Sequence, residues 1–128
     1  MKKGISVMVV FTMLVAVWAF AGGKEKIAVA ANDKIPGASV SDRAGLSPFF
    51  LIFDEKGELM EVIDNPFKEE KGRAGHLMAD FLAGKGVTVV IGEDFCGEIV
   101  QVIKNKGITP VNFKGSAEEA AQMVLKSN

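Results

Sequence analysis

One cysteine and one histidine supply the soft-ligand and acid–base chemistry of this chain. Cys96 closes the stretch VTVVIGEDFCG, residues 87–97, in which a strand-like apolar run breaks at Gly92 and delivers the thiol to the start of the next helix. The macrodipole favours a thiolate at a helix N-terminus, and the thiolate is the form that binds soft metals and attacks electrophiles. Free cysteine is commonly a small buried hydrophobe, but a loop carrying Glu93, Asp94 and Gly97 is a poor place to bury one. His76 falls off the apolar stripe of its predicted helix, in company with Arg73 and Asp80. That i,i+4 spacing suits a solvated His76–Asp80 pair, and a carboxylate behind an imidazole is also how an oriented metal ligand looks. One cysteine and one histidine cannot close a four-coordinate structural zinc site. Any metal is therefore bound openly, shared between subunits, or arrives with its own ligands. Cys96 is the first predicted metal ligand and His76 the second.

The N-terminus sets the compartment in which this chemistry is expected. Lys2 and Lys3 precede an apolar run from Ile5 to Phe20, and Ala19-Phe20-Ala21 offers the small residues of a cleavage site. That order reads as a secretory signal peptide over residues 1–21, removed to leave an exported, periplasmic or extracellular protein with no membrane attachment. The run falls short of the roughly 20 residues that span a bilayer. Without Lys2 and Lys3 the 15 basic residues become 13 against 16 acidic ones, a net charge of −3. Lysines interleaved with acids, as in Lys68-Glu69-Glu70-Lys71, argue against a nucleic-acid partner. Residues 22–128 suffice for one domain with one core. A single cysteine excludes an internal disulfide.

The elements that must position the two residues follow from the hydrophobic pattern. Apolar runs at Ile27–Ala31, Phe49–Phe53 and Leu59–Ile63 predict three strands, the last two joined as a hairpin in which Gly57 supplies a positive φ. Residues 66–72 form a charged loop. From Arg73 the period changes: Ala74, Leu77, Met78, Phe81 and Leu82 make a helical stripe that Gly84 and Gly86 end. A strand over Val87–Ile91 follows, then a helix lined by Ile99, Val102 and Ile103 that stops at Lys104, Lys106 and Gly107. Ile108–Phe113 is the last strand, assigned to a sheet edge because Pro110 cannot donate to a ladder. Ser116 and Glu119 form a capping box for a final helix burying Ala117, Ala120, Ala121, Val124 and Leu125.

Three strands followed by helix, strand, helix, strand, helix specify an α/β fold with right-handed crossovers. The predicted order is 3-2-1-4-5 with the second strand antiparallel, a five-stranded mixed sheet with three helices that resembles the ribonuclease H-like arrangement. The C-terminal ends of the four co-directional strands then share one edge, where open sheets of this kind bind ligands. That edge collects the loop 32–48, the helix start at Arg73–His76, the Cys96 loop and the turn Lys114-Gly115-Ser116.

Taken together, IAVAAND, VSDRAGLSPFFLIFD, GRAGHLMADFLAGKGVTVVIGEDFCG and GSAEEAAQMVL resemble the dinitrogenase iron-molybdenum cofactor biosynthesis family, which includes NifX-like and NafY-like carriers and the NifB C-terminal domain. The resemblance covers residues 26–126. It implies a ribonuclease H-like three-layer fold that binds or carries an iron-sulfur or iron-molybdenum-type cluster, with protein donors and acceptors of that cluster as partners. Backbone N–H groups at helix starts suit such an anion, and a thiolate or imidazole can cap its iron. Arg43, Asn32 and Gly97 would supply hydrogen bonds around the cluster, beside Cys96 and His76. The family commonly has His-Phe-Gly where this chain has Arg43-Ala44-Gly45, so Arg43 offers charge and hydrogen bonds in place of a metal ligand. An export signal is a second departure from a cytoplasmic assembly pathway.

Enzyme classes fit less well. A ribonuclease H-type nuclease needs a carboxylate on its first strand to hold magnesium, and Ile27–Ala31 has none. Cys96, His76 and Asp80 supply the residue types of a cysteine–histidine hydrolase, but nothing in the sequence fixes their geometry. A third class is a structural or partner-binding domain whose free thiol pairs with another protein. The expected function is non-enzymatic carriage of a metal cluster or related metal-containing anion.

Overall fold

Ile27–Ala31 contains no polar side chain, and it forms the central strand β1, fully buried on both faces. The computed structural model describes residues 25–95 and 97–127; the predicted signal segment and Cys96 lie outside the described residues. Two further strands, β2 (Phe49–Phe53) and β3 (Leu59–Asp64), form the hairpin, and Gly57 at its tip has φ +83°. Next come helix α1 (Ala74–Gly84), strand β4 (Val89–Gly92), helix α2 (Gly97–Asn105), strand β5 (Thr109–Asn112) and helix α3 (Ala117–Lys126). The sheet order is β3-β2-β1-β4-β5, with β2 antiparallel to β1 and β3, and β1, β4 and β5 parallel. This is the topology the hydrophobic pattern specifies.

Strand periodicity sends alternate residues to opposite faces and so builds two cores. On one face Val29, Leu51, Phe53 and Ile91 pack against Ala117, Ala120, Ala121 and Val124 of α3. On the other, Ala28, Ala30, Phe50, Ile52 and Val90 pack against Met78, Ala79 and Leu82 of α1 and Ile103 of α2. One helix on one face and two on the other make three layers.

Several element ends differ from the sequence pattern because main-chain groups are used elsewhere. The amide of Val87 donates to Leu82 O and closes the C-terminus of α1, so β4 starts at Val89 rather than Val87. Likewise Ile108 N–H closes α2 on Ile103 O, and β5 starts one residue late, at Thr109. At the other end β3 runs on through Asp64, which pairs with Phe49. Within α1 the buried stripe is Ala74, Met78, Ala79 and Leu82, and Leu77 and Phe81 are only half-buried. Phe81 instead meets the Phe67 ring edge-on at 5.7 Å, which pins the charged loop 66–72 to the helix. Pro110 sits on the edge strand β5, where its missing donor costs no ladder bond. The capping box is complete, with Ser116 Oγ accepting from Glu119 N–H and Glu119 Oε1 accepting from Ser116 N–H.

Candidate functional site

Beyond the C-terminal end of β1 the chain is held by short backbone links before it reaches the site. Ser41 N–H donates to Ala30 O at 2.7 Å, and Ser41 O accepts from Glu93 N–H at 2.9 Å, which ties this loop to the one that follows β4. Buried Ser41 also accepts from Arg43 N–H through its hydroxyl, starting the 3-10 turn Ala44–Leu46. Phe95 N–H donates to Asn112 Oδ1 at 3.1 Å, so the β4 loop is tied in turn to the end of β5. Glycines permit the close approaches. A Cβ on Gly45 would lie 3.0 Å from the backbone of Ala74 and Gly75, and one on Gly92 would lie 3.0 Å from both Ala44 Cβ and the Phe95 ring.

These contacts border an open pocket of about 420 Å³ at the shared strand edge. Its inner lining is apolar: Met78 is buried, and Ala74, Phe95 and Ile99 are buried or half-buried. The polar lining is exposed and comes from Asp42, Arg43, Glu70 and Asp94. Neither ion pair among the described residues, Lys85–Glu61 and Lys106–Asp80, uses any of these four side chains. The first turn of α1 opens here. Arg73 precedes it without a side-chain cap, and Ala74 and Gly75 line the pocket. An uncapped helix start presents unsatisfied N–H groups and a partial positive charge, which suits an anion or an electron-rich ligand. The start of α3, by contrast, is closed by its own capping box.

The structure sorts the predicted site residues. Arg43 lines the pocket. His76 lies in the first turn of the same helix as Ala74 and Gly75, half-buried, and is not among the lining residues. Its predicted partner Asp80 instead accepts from Lys106 Nζ at 2.6 Å, an ion pair between α1 and the end of α2. Lys106 holds the Asp80 carboxyl below its ordinary pKa, with the more distant His76 and Arg73 charges adding to the effect. Asn32 is exposed on the loop after β1 and donates through Nδ2 to Ser39 Oγ at 2.8 Å, outside the pocket. Gly97 is the exposed first residue of α2 and does not line it either. Cys96, between lining residue Phe95 and Gly97, lies outside the described residues. Among the described residues no three His, Cys, Asp or Glu side chains converge to hold a metal ion.

Residues the sequence pattern did not single out complete the site. Asn65 is 1% exposed, yet its amide spans two loops. Gly75 lies close against the Ile99 side chain, whose Cδ1 would have to turn aside for a Cβ there. Met78 and Ile99 read as core positions from their spacing, and only the three-dimensional arrangement places them on a cavity. The dipeptide Asn65-Pro66 signals a turn, but no sequence rule reveals that the Asn65 side chain reaches back 20 residues.

Residues 24–127 match the family model described as dinitrogenase iron-molybdenum cofactor. No curated protein is a significant match to the chain. Among solved structures, the apo form of the orange protein from Desulfovibrio gigas superposes with a TM-score of 0.74 at 24% identity, over 80% of this chain and 88% of that one. A putative NifB protein from Thermotoga is similar with a TM-score of 0.65 at 26% identity, over 80% and 88% of the two chains. A putative dinitrogenase from Methanocaldococcus jannaschii gives 0.57 at 14% identity, over 82% and 91%.

Proposed function

The chain belongs to the dinitrogenase iron-molybdenum cofactor family, and from that premise we propose that it is a non-enzymatic carrier of an iron-sulfur or iron-molybdenum-type cluster, held as cargo in the pocket at the C-terminal strand edge. The observation that carries this reading is the pairing of an apolar cavity of about 420 Å³ with the uncapped start of α1 and with Arg43. Main-chain N–H groups of Ala74 and Gly75 and the Arg43 guanidinium would bond the sulfides or carboxylates of such a cargo. Half-buried Phe95 and Ile99 would offer it an apolar surface. Cys96 is assigned as the iron-capping thiolate from its place in the sequence, one residue after Phe95 and at the threshold of α2. His76 is the second candidate, and it would have to turn toward the pocket to serve. Export rests on the sequence of residues 1–21 and makes this an extracytoplasmic relative, with donor and acceptor proteins in that compartment.

The test is anaerobic reconstitution of the protein with ferrous iron and sulfide, followed by desalting, visible absorption and iron analysis. Stoichiometric retained iron, sharply reduced in Cys96→Ser and in Arg43→Ala while far-UV circular dichroism is unchanged, is the expected result. Iron that is not retained, or that is retained equally by both variants, refutes the assignment.

A further inference from the structure

We propose that Asn65 is the positioning residue of this pocket, a buried clip that sets the spacing of two of its lining segments. The inference deepens the carrier reading and rests on it for its functional consequence. Asn65 follows β3 directly and is 1% exposed. Its Nδ2 donates to Gly45 O at 2.9 Å and to Ser47 O at 2.8 Å, so both amide hydrogens are spent on the turn that carries Ala44, Gly45 and Leu46 into the pocket. Its Oδ1 accepts from Phe67 N–H at 2.9 Å, which starts the loop that carries Glu70 and Gly72 to the same pocket. The two acceptor carbonyls and the one donor N–H fix the orientation of the amide group uniquely. Main-chain bonds reinforce the clip: Asn65 N–H donates to Pro48 O, and Asn65 O accepts from Lys68 N–H.

No other side chain has the shape for this work. Asp has no donor for the two carbonyls, Gln places its amide one methylene too far, and Ser makes a single donor bond. Buried amide bonds of this kind are costly to leave unmade. Their loss would free two carbonyls on one lining segment and one N–H on the other. Because Gly45 lies so near the backbone of Ala74 and Gly75 that a Cβ would come within 3.0 Å of it, freedom at the turn passes to the uncapped start of α1.

Two substitutions separate the two halves of the clip. Asn65→Asp keeps an acceptor for Phe67 N–H and removes both donors; Asn65→Ala removes everything. Hydrogen-exchange mass spectrometry on the protein without cargo should show at least tenfold faster exchange in residues 43–47 of Asn65→Asp with residues 67–72 unchanged, and faster exchange in both segments of Asn65→Ala. Peptides from β1 and β4 should exchange as in the wild type in each case. A rise spread evenly over the whole chain, or one confined to a single segment in both variants, overturns the proposal. Iron retained after reconstitution should fall at least tenfold in Asn65→Asp, and retention at the wild-type level would also overturn it. If the wild type itself retains no iron, the carrier reading falls, and the exchange pattern still decides the role of Asn65.

Discussion

Gly45→Ala is the sharpest probe of how the pocket is built. The added methyl would lie 3.0 Å from Ala74 C and from Gly75 N and 3.1 Å from Ala74 Cβ. Optimal contacts between carbon atoms fall at about 3.5–4.0 Å, so the turn and the helix start must give by a few tenths of an ångström. Two of the three atoms met are backbone, and no rotamer change relieves them. Asn65 Nδ2 bonds Gly45 O and Ser47 O, so a shift of the turn strains those bonds as well. Overpacking of this kind costs about 1–3 kcal/mol. For a domain of this size that corresponds to a fall in Tm of roughly 5–15 °C. Urea unfolding followed by circular dichroism should show a lower midpoint at an unchanged slope, since the surface exposed on unfolding is the same. Gly84→Ala is the control: a Cβ there meets nothing within 4 Å, and the residue ends α1, so stability should hold or rise by up to about 1 kcal/mol. A Gly45→Ala protein as stable as the wild type would refute the claim that the turn is wedged between Asn65 and α1.

Two other predictions test the scaffold. Ser116→Ala removes the acceptor for Glu119 N–H and should lower stability by about 1 kcal/mol, read as a shift in the urea midpoint; no shift would mean the capping box contributes nothing to α3. Asp54 accepts from the amides of Glu58 and Lys56 at the hairpin tip, and the Glu58 amide above all holds its carboxyl below the ordinary pKa. A depressed folded-state pKa means the stabilisation is present above the unfolded value and lost as pH falls through the folded one. Asn at this position cannot ionise, so the stability of Asp54→Asn should decline less than that of the wild type between neutral pH and about pH 3. Parallel pH profiles for the two proteins would show that Asp54 plays no part in acid sensitivity.

How far the sequence reached depends on the range of the interaction. Strand order, helix placement and the capping box were legible because each rests on local periodicity or on residues three or four apart, as with Ser116 and Glu119. Element ends were less legible, since Val87 and Ile108 spend their amides on the preceding helix and no pattern of side chains records that choice. For the site, topology brought Arg43 and the start of α1 to one edge. Partner choice was not legible: Asp80 has His76 one turn away, yet it pairs with Lys106, whose flexible ammonium reaches it from the turn after α2. Asn65 was invisible for the same reason, because its bonds to Gly45 and Ser47 cross 20 and 18 residues.

On the carrier reading, the charge around the pocket bears on which cargo it selects. Asp42, Glu70 and Asp94 outnumber Arg43 along the lining, so a bare anion meets more repulsion than attraction. A pair of charges about 4 Å apart interacts by about 1 kcal/mol in water, and salt screens such terms over about 8–10 Å. The uncapped start of α1 opposes that repulsion with about 0.3–1 kcal/mol. The helix-start term is smaller than the excess of carboxylates, so no net electrostatic pull on a small anion remains, and selection passes to short-range contacts. Hydrated phosphate or molybdate would have to shed water against Phe95 and Ile99 and gain nothing there. A metal-sulfide cluster of the same charge spreads it over many polarisable atoms, touches those side chains at lower desolvation cost, and offers iron to a thiolate. On the carrier reading the carboxylates therefore act against small hard anions, and the apolar wall acts in favour of the cluster.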